Sequence, residues 1–400
     1  MSRRLIPYGR QAIDESDIAA VVEVLRSDYL TCGPKVQEFE EQFAVKVGAR
    51  HAVAMNSATA ALHVALRVAG IGARDRVVTS PNTFLASANC AAMVGATPDF
   101  ADIEATTYNL DPSALAKICG DDVKAVVAVD FAGQACDISR IAEVARRRKA
   151  IVIEDASHAA GGAFWHEEKK WRIGGHPWAD FTVFSFHPVK TMTTGEGGML
   201  VTDRKDWAEA ARKIRAHGVV REDFVGLGAA NDPQLGEWGP WYHEMVDLGY
   251  NYRITDLQCA LGLSQLAKLD AFVARRQAIV ARYNAEFAGL GWLRTPALGD
   301  TRNAALTSWH LYVVQLDFRA LGLTRTQVMA RLREYEVASQ VHYIPVHLQP
   351  WYRRQYGYAP GKCPVAEDYY RRALTLPLYP SMTEEDVSRV IAAMKKLATS

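Results

Sequence analysis

Phe181-Thr182-Val183-Phe184-Ser185-Phe186-His187-Pro188-Val189-Lys190, running on through Thr193-Thr194-Gly195-Glu196-Gly197-Gly198, sets the pattern of this chain. The apolar, aromatic start reads as the end of a buried strand, and Gly198-Met199-Leu200-Val201-Thr202 resumes as another. A lysine in the turn between two buried strands has two readings. It is a surface charge, or it is a desolvated amine whose lowered pKa frees its lone pair to form a Schiff base. This window alone leaves both open.

Upstream, short apolar runs at 51–55, 76–79, 97–103, 125–130 and 150–155 alternate with helical patterns near 59–69, 83–94, 112–118 and 137–149. Such alternation with nearly continuous Val/Ala/Ile runs predicts an α/β fold, with a large, mainly parallel sheet covered on both faces. Ligands then sit beyond the carboxyl ends of the strands. Amphipathic helices precede this region at 14–27 and 35–47, and the Gly- and Trp-rich residues 160–177 read as a hairpin excursion. A helix follows at 207–217, and 219–248 is a long irregular loop. A long helix over 255–290 connects to a smaller α+β unit, with strands near 308–316 and 339–344 and helices near 324–337, 365–372 and 383–397. The expected division is a large domain of residues 1–265 with an N-terminal arm, and a small C-terminal domain of residues 266–400.

The 400 residues carry 46 basic and 45 acidic side chains, a net charge of +1, which leaves no electrostatic footprint for nucleic acid or an anionic membrane. The one basic cluster, Arg146-Arg147-Arg148-Lys149, ends a helical pattern, where cations complement the helix dipole. Six scattered cysteines show no C-x-x-C pair and no metal-ligand spacing, so free thiols in a reducing compartment are expected, with no metal. The N-terminus lacks an apolar signal region and no run of 18 apolar residues occurs. The expectation is a cytoplasmic protein with no membrane segment.

Three constellations bear on Lys190. Asp155 ends the run Ile151-Val152-Ile153-Glu154-Asp155, either as a helix N-cap or as an acid at the carboxyl end of a strand. An acid able to face a heterocyclic nitrogen and a lysine able to hold an aldehyde are the minimum set for pyridoxal phosphate chemistry. Asn56-Ser57-Ala58-Thr59-Ala60 opens a helix after the first strand. It is a plain Ser/Thr cap or a cradle where backbone N–H groups and hydroxyls meet a phosphate; Ser185 would add a further hydroxyl. Gly195-Glu196-Gly197-Gly198 lacks the spacing of a nucleotide loop and reads as a tight turn. Phe84, placed at a helix start, is core or a flat lid on a ring, and His158, three residues past Asp155, is equally two-sided.

Taken in order, Asn56-Ser57-Ala58-Thr59, Pro81-Asn82-Thr83-Phe84, Glu154-Asp155-Ala156-Ser157-His158, the segment around Lys190 and Gly249-Tyr250-Asn251-Tyr252-Arg253-Ile254-Thr255-Asp256 resemble the sugar-nucleotide aminotransferases of the DegT/DnrJ/EryC1/StrS group. These enzymes have the fold-type I pyridoxal phosphate architecture. Within the group, Val341-His342-Tyr343 and Ala366-Glu367-Asp368-Tyr369-Tyr370 look most like the 4-aminotransferases of the pseudaminic acid pathway. The resemblance implies a pyridoxal 5'-phosphate cofactor held covalently by Lys190, with Asp155 on its ring nitrogen, Phe84 on its face and His158 near its phenolic oxygen. Thr59, the Ala60 backbone and Ser185 would hold its phosphate. Asn251 would reach that phosphate from the other subunit of a homodimer, with Arg253 beside it. Tyr8, Thr31, Arg253 and Tyr343 are assigned to the nucleotide-sugar pocket. The implied substrates are L-glutamate, giving 2-oxoglutarate, and a UDP-linked 2-acetamido-4-keto-2,6-dideoxy sugar; a 3- or 4-aminotransferase of another UDP- or dTDP-keto-sugar is the alternative. A related dehydratase would replace the lysine, and a regulator would carry a DNA-binding module, so both are disfavoured.

Overall fold

The structure, a computed structural model, describes residues 4–226 and 239–398. Its strands are, in chain order, β1 (His51–Met55), β2 (Arg76–Thr79), β3 (Thr97–Phe100), β4 (Val123–Val129), β5 (Ile151–Asp155), β6 (Ala163–His166), β7 (Lys169–Arg172), β8 (Phe181–Ser185) and β9 (Gly198–Thr202). Seven of them form one sheet in the order β1-β9-β8-β5-β4-β2-β3; only β9 runs antiparallel to its neighbours. The apolar runs are continuous because helices cover both faces. Val126, Val152 and Phe184 point into one buried cluster, and Val127, Ile153 and Val183 into another. β6 and β7 pair as the expected hairpin.

The helices begin where local chemistry stops their first N–H groups going unpaired. α1 (Glu15–Leu25) has an Asp14/Asp17 capping box and α2 (Pro34–Val47) a proline in its first turn. α3 (Ala58–Val68) is capped by Ser57. α4 (Ala86–Met93) starts later than expected, leaving Phe84 in the preceding loop. α5 (Pro112–Ile118), α6 (Ile138–Arg146) and α7 (Lys205–Arg215) complete the layers. The 32-residue α8 (Asp256–Phe287) opens on a Thr255/Gln258 capping box. Its first half, with Cys259, Leu266, Leu269 and Val273, packs into the large unit; Ile279, Val280, Tyr283 and Phe287 belong to the core of the small one. We take the division between the two units to fall along this helix. The N-terminal arm crosses that division, since Ile6 is buried in the small core and bridges Val337.

The small unit is a three-stranded antiparallel sheet, β10 (Leu293–Arg294), β11 (Tyr312–Leu316) and β12 (Ala373–Leu376), under helices at Arg325–Glu334 and Glu384–Lys396. This corrects the expected strand at 339–344. Only Gln340 pairs there, with Thr375, and the chain then turns away; the third strand is the short Ala373–Leu376 run. Likewise only 312–316 of the expected 308–316 is strand. In the expected loop at 219–248, Val219–Val220 and Glu244–Met245 form a two-residue ladder, and residues 227–238 lie outside the described residues.

A segment after residue 344 clamps the small unit to the edge of the large sheet. Val346 N–H donates to Pro81 O at 2.9 Å and Tyr352 Oη to Asn89 Oδ1 at 2.6 Å. Val365 and Ala366 N–H donate to Asp102 at 2.9 and 3.0 Å, and Lys362 meets Asp99 at 2.7 Å. His342 and Tyr343, just before the clamp, line the cavity at the carboxyl ends of the strands.

Candidate active site

The carboxyl ends of β4, β5 and β8 open on a cavity of about 400 Å³ whose walls include Asp155, His158, Ser185 and Lys190. After Ser185 the chain turns, and hydroxyls more than glycines fix that turn. Thr193 Oγ1 donates to Phe186 O at 2.9 Å and accepts from Gly195 N–H at 2.9 Å, while Thr194 Oγ1 donates to Glu196 O at 2.6 Å. Gly195 sits at φ +80°, where a side chain would be strained. The turn presents Lys190 to the cavity, and burial pushes its amine down to about 8, against the upward pull of the Asp155 charge. Lys190 is partly buried in the cavity wall, which favours the desolvated-amine reading over a plain surface charge.

Asp155 is buried at the cavity floor. Its Oδ2 accepts from Ser87 Oγ at 2.6 Å and its Oδ1 from Ser157 N–H at 3.1 Å; Thr83 Oγ1 backs Ser87 at 2.7 Å. These bonds orient the carboxylate and leave lone pairs for a further donor, as a protonated ring nitrogen would be. Ser87 reaches it from α4, 68 positions away in sequence, and nothing local foretells it.

The start of α3 faces the same cavity through Ser57, Ala58 and Thr59. Ser57 Oγ, not Thr59, is the cap and accepts from Ala60 N–H at 3.1 Å, while Ala61 N–H takes Ser57 O. The N–H groups of Ala58 and Thr59, the Thr59 hydroxyl and the Ser185 hydroxyl remain to meet an anion. Gly198 lets strand and helix start approach: a Cβ there would crowd Ala58 N and lie 2.6 Å from Ser57 O. The Gly195–Gly198 run is thus a turn and a close-approach point.

The opposite wall is aromatic. Phe84 lines the cavity with 58% of its surface exposed, its ring centroid 6.5 Å from that of Tyr343. An aromatic face left open at a cavity mouth fits a flat ring. His158 is buried and held well below its ordinary pKa, first by burial and then by Lys190. His310 and His342, absent from the sequence-based site, also line the cavity, and burial pushes His342 down to about 3. They arrive from the small unit, whose clamp is a long-range feature. Tyr8 packs on His342 at 5.4 Å between ring centroids.

Three expected residues lie outside this cavity within one chain. Thr31 is exposed and bridges Thr255. Asn251 is exposed, and its carbonyl accepts from Asn56 Nδ2 at 3.3 Å. Arg253 lines a separate pocket with Cys32, Glu40 and Arg212.

The model for the DegT/DnrJ/EryC1/StrS aminotransferase family matches residues 11–395. The chain belongs to that family. It is 44% identical over 393 residues to the spore coat polysaccharide biosynthesis protein SpsC of Bacillus subtilis, covering 98% of this chain and 97% of SpsC. Among solved structures, Helicobacter pylori PseC, an aminotransferase involved in the biosynthesis of pseudoaminic acid, superposes with a TM-score of 0.87 at 29% identity, covering 99% of this chain and 100% of PseC. The PLP form of the putative sugar aminotransferase Spr1654 from Streptococcus pneumoniae gives a TM-score of 0.86 at 28% identity and covers 99% of both chains. Like the rest of the DegT/DnrJ/EryC1/StrS family, the protein is an aminotransferase and its cofactor is pyridoxal phosphate. The site fits that group: an open aromatic face, a carboxylate with lone pairs to spare, a depressed amine and unpaired N–H groups at a helix start. No cluster of His, Cys, Asp or Glu able to hold a metal occurs among the described residues.

Proposed function

We propose that the protein moves an amino group from L-glutamate to the C4 ketone of a UDP-linked 2-acetamido-4-keto-2,6-dideoxy sugar, giving a 4-amino sugar nucleotide for pseudaminic acid biosynthesis. The observation that carries the transamination is a depressed lysine amine in one cavity with a buried, oriented carboxylate. The sugar assignment is supported by the full-length likeness to PseC. Bound pyridoxal phosphate supplies an electron sink for the carbanion at the carbon losing its proton. Lys190 holds the cofactor at rest; displaced, its amine takes the proton from the glutamate α-carbon and, in the second half-reaction, delivers one to the sugar carbon that carried the ketone. Asp155 keeps the ring nitrogen protonated, and its effect is larger in a dry site than in water. Thr59 and Ser185 hold the phosphate end together with the Ala58 N–H; the Ala60 N–H, expected there from the resemblance, is already given to Ser57 Oγ. Phe84 covers the ring and His158 lies at its oxygen, while Tyr8 and Tyr343 line the sugar side.

A homodimer completes this reading. Asn251 is exposed and does not line its own chain's cavity, as a residue serving a partner subunit's phosphate would be; Arg253 and Thr31 would join the sugar pocket from the same side. Six unpaired cysteines accord with a cytoplasmic location, and no helix among the described residues is long and apolar enough to cross a membrane. The 44% identity to a spore coat polysaccharide protein favours a second reading, amination at C4 or C3 of another UDP- or dTDP-keto-sugar. Incubation with glutamate and a panel of 4-keto and 3-keto nucleotide sugars, with the aminated carbon identified by NMR, separates them. Amination only at C3, or only of dTDP-sugars, would overturn the first reading.

A further inference from the structure

The protein groups bonded to the Asp155 carboxylate are all donors. Oδ1 accepts from Ser157 N–H at 3.1 Å and Oδ2 from Ser87 Oγ at 2.6 Å. Ser87 is the second residue of α4, so the carboxylate meets the first turn of a helix, the end that favours negative charge. No side chain caps that turn, and the Ser87 hydroxyl is spent on Asp155 instead.

Proton count fixes the direction of the hydroxyl chain behind it. Ser87 Oγ carries one proton and gives it to the ionised carboxylate. Towards Thr83 Oγ1, 2.7 Å away, it can then only accept, so Thr83 donates to Ser87 and Ser87 to Asp155. Each donation polarises the next. Ser87 is 1% exposed and Thr83 3%, so bulk water does not compete for either hydroxyl.

We infer that Ser87 is a positioning residue for the reaction: acting through Asp155, with Thr83 behind it, it keeps the proton shared by Asp155 and the cofactor ring on the ring nitrogen. This rests on the aminotransferase reading and not on the identity of the sugar. Without the Ser87 proton, Oδ2 loses a charge-assisted bond in a site that water does not refill. A carboxylate stripped in this way competes harder for a proton and takes it from the ring. A neutral ring withdraws fewer electrons, so loss of the glutamate α-proton slows while glutamate binding does not change.

The test uses holoenzyme loaded with pyridoxal phosphate carrying ¹⁵N at the ring nitrogen. Wild type is expected to show the ¹⁵N shift of a protonated ring, and Ser87→Ala a displacement towards the unprotonated value. In single-turnover measurements Ser87→Ala is expected to slow the glutamate half-reaction about ten- to a hundredfold, with the half-saturating glutamate concentration unchanged. Ser87→Thr, which keeps the hydroxyl, is expected to retain the wild-type ¹⁵N shift. Thr83→Val is expected to cost about twofold, with a small displacement in the same direction, and to cost nothing further in the Ser87→Ala background. An unmoved ¹⁵N shift in Ser87→Ala would overturn the inference. So would equal displacements in Ser87→Thr and Ser87→Ala, a loss seen in glutamate binding and not in rate, or a Thr83→Val loss that multiplies in the double variant. If Ser87→Ala does not fold, Thr83→Val decides, since it leaves Ser87 in place: an unmoved ring signal there would overturn the relay. Failure of the wild type to take an amino group from glutamate would sink the functional reading, while the ring-nitrogen spectra would still judge Ser87.

Discussion

Replacing Lys190 by methionine should make the cofactor-free protein more stable. Burial lowers the amine from 10.5 to about 8, with the attraction of Asp155 already included. At about 1.4 kcal/mol per pKa unit, that fall amounts to roughly 3 kcal/mol of stability forgone when the amine is protonated. The sign follows from proton binding. Between pH 8 and 10.5 the unfolded chain holds a proton that the folded one has lost, so stability rises with pH across that window. Below pH 8 both states are protonated and the whole penalty applies. With unfolding entropy of about 2 cal/mol/K per residue, 400 residues convert about 3 kcal/mol into a shift of roughly 4 °C. The assay is a pair of thermal melts of cofactor-stripped Lys190→Met and wild type, at pH 7 and pH 9.5. The variant should melt about 4 °C higher at pH 7, and the gap should narrow at pH 9.5. Equal or lower stability at pH 7, or a gap indifferent to pH, would refute a desolvated Lys190. Such a gain is what a residue kept for chemistry rather than for folding should show.

Asp155→Ala should slow the glutamate half-reaction in single-turnover measurements by about 3 kcal/mol, roughly a hundredfold; an unchanged rate removes it from the mechanism. Gly198→Ala would push a methyl into Ser57 O and the first turn of α3. We expect weaker pyridoxal phosphate binding by fluorescence titration and a stability loss of about 1–3 kcal/mol, whereas wild-type affinity would show that α3 does not hold the phosphate. Arg276 is fully buried, and its Nη1 donates to Trp309 O, His310 O and Leu378 O at 3.2, 3.2 and 2.9 Å. Arg276→Met should strand those carbonyls, cost about 3 kcal/mol or more, and raise sugar KM by loosening the His310 wall; a melting temperature equal to that of wild type would contradict this.

What was legible in the sequence is what lies at strand ends. Lys190, Asp155 and Thr59 each follow an apolar run, and a buried parallel sheet leaves only its carboxyl edge for chemistry, so the runs place them together. The wall facing them was half hidden. Tyr8 and Tyr343 were assigned through the resemblance, but His310 and His342 come to the cavity from the small unit, a tertiary contact without a local signal. Ser87 orients Asp155 from a helix whose start was set three residues early, because Pro81-Asn82-Thr83-Phe84 carries loop chemistry that the helical period around it masks. The strand at 373–376 is four residues long and follows a helix directly, too short to show alternation, whereas 339–344 has the right composition and lacks a partner beyond Gln340. Thr31, Asn251 and Arg253, assigned to the site through the resemblance, do not line the cavity of their own chain, and nothing in the local pattern around them separates them from ordinary surface positions.

The central claim is that Lys190 is the residue holding the cofactor. Borohydride reduction of the holoenzyme, followed by proteolysis and mass spectrometry, tests it most directly. The account predicts the reduced cofactor on the peptide containing Lys190 and on no other lysine, with none trapped in Lys190→Ala. Trapping on a different lysine, or undiminished trapping in Lys190→Ala, would contradict it.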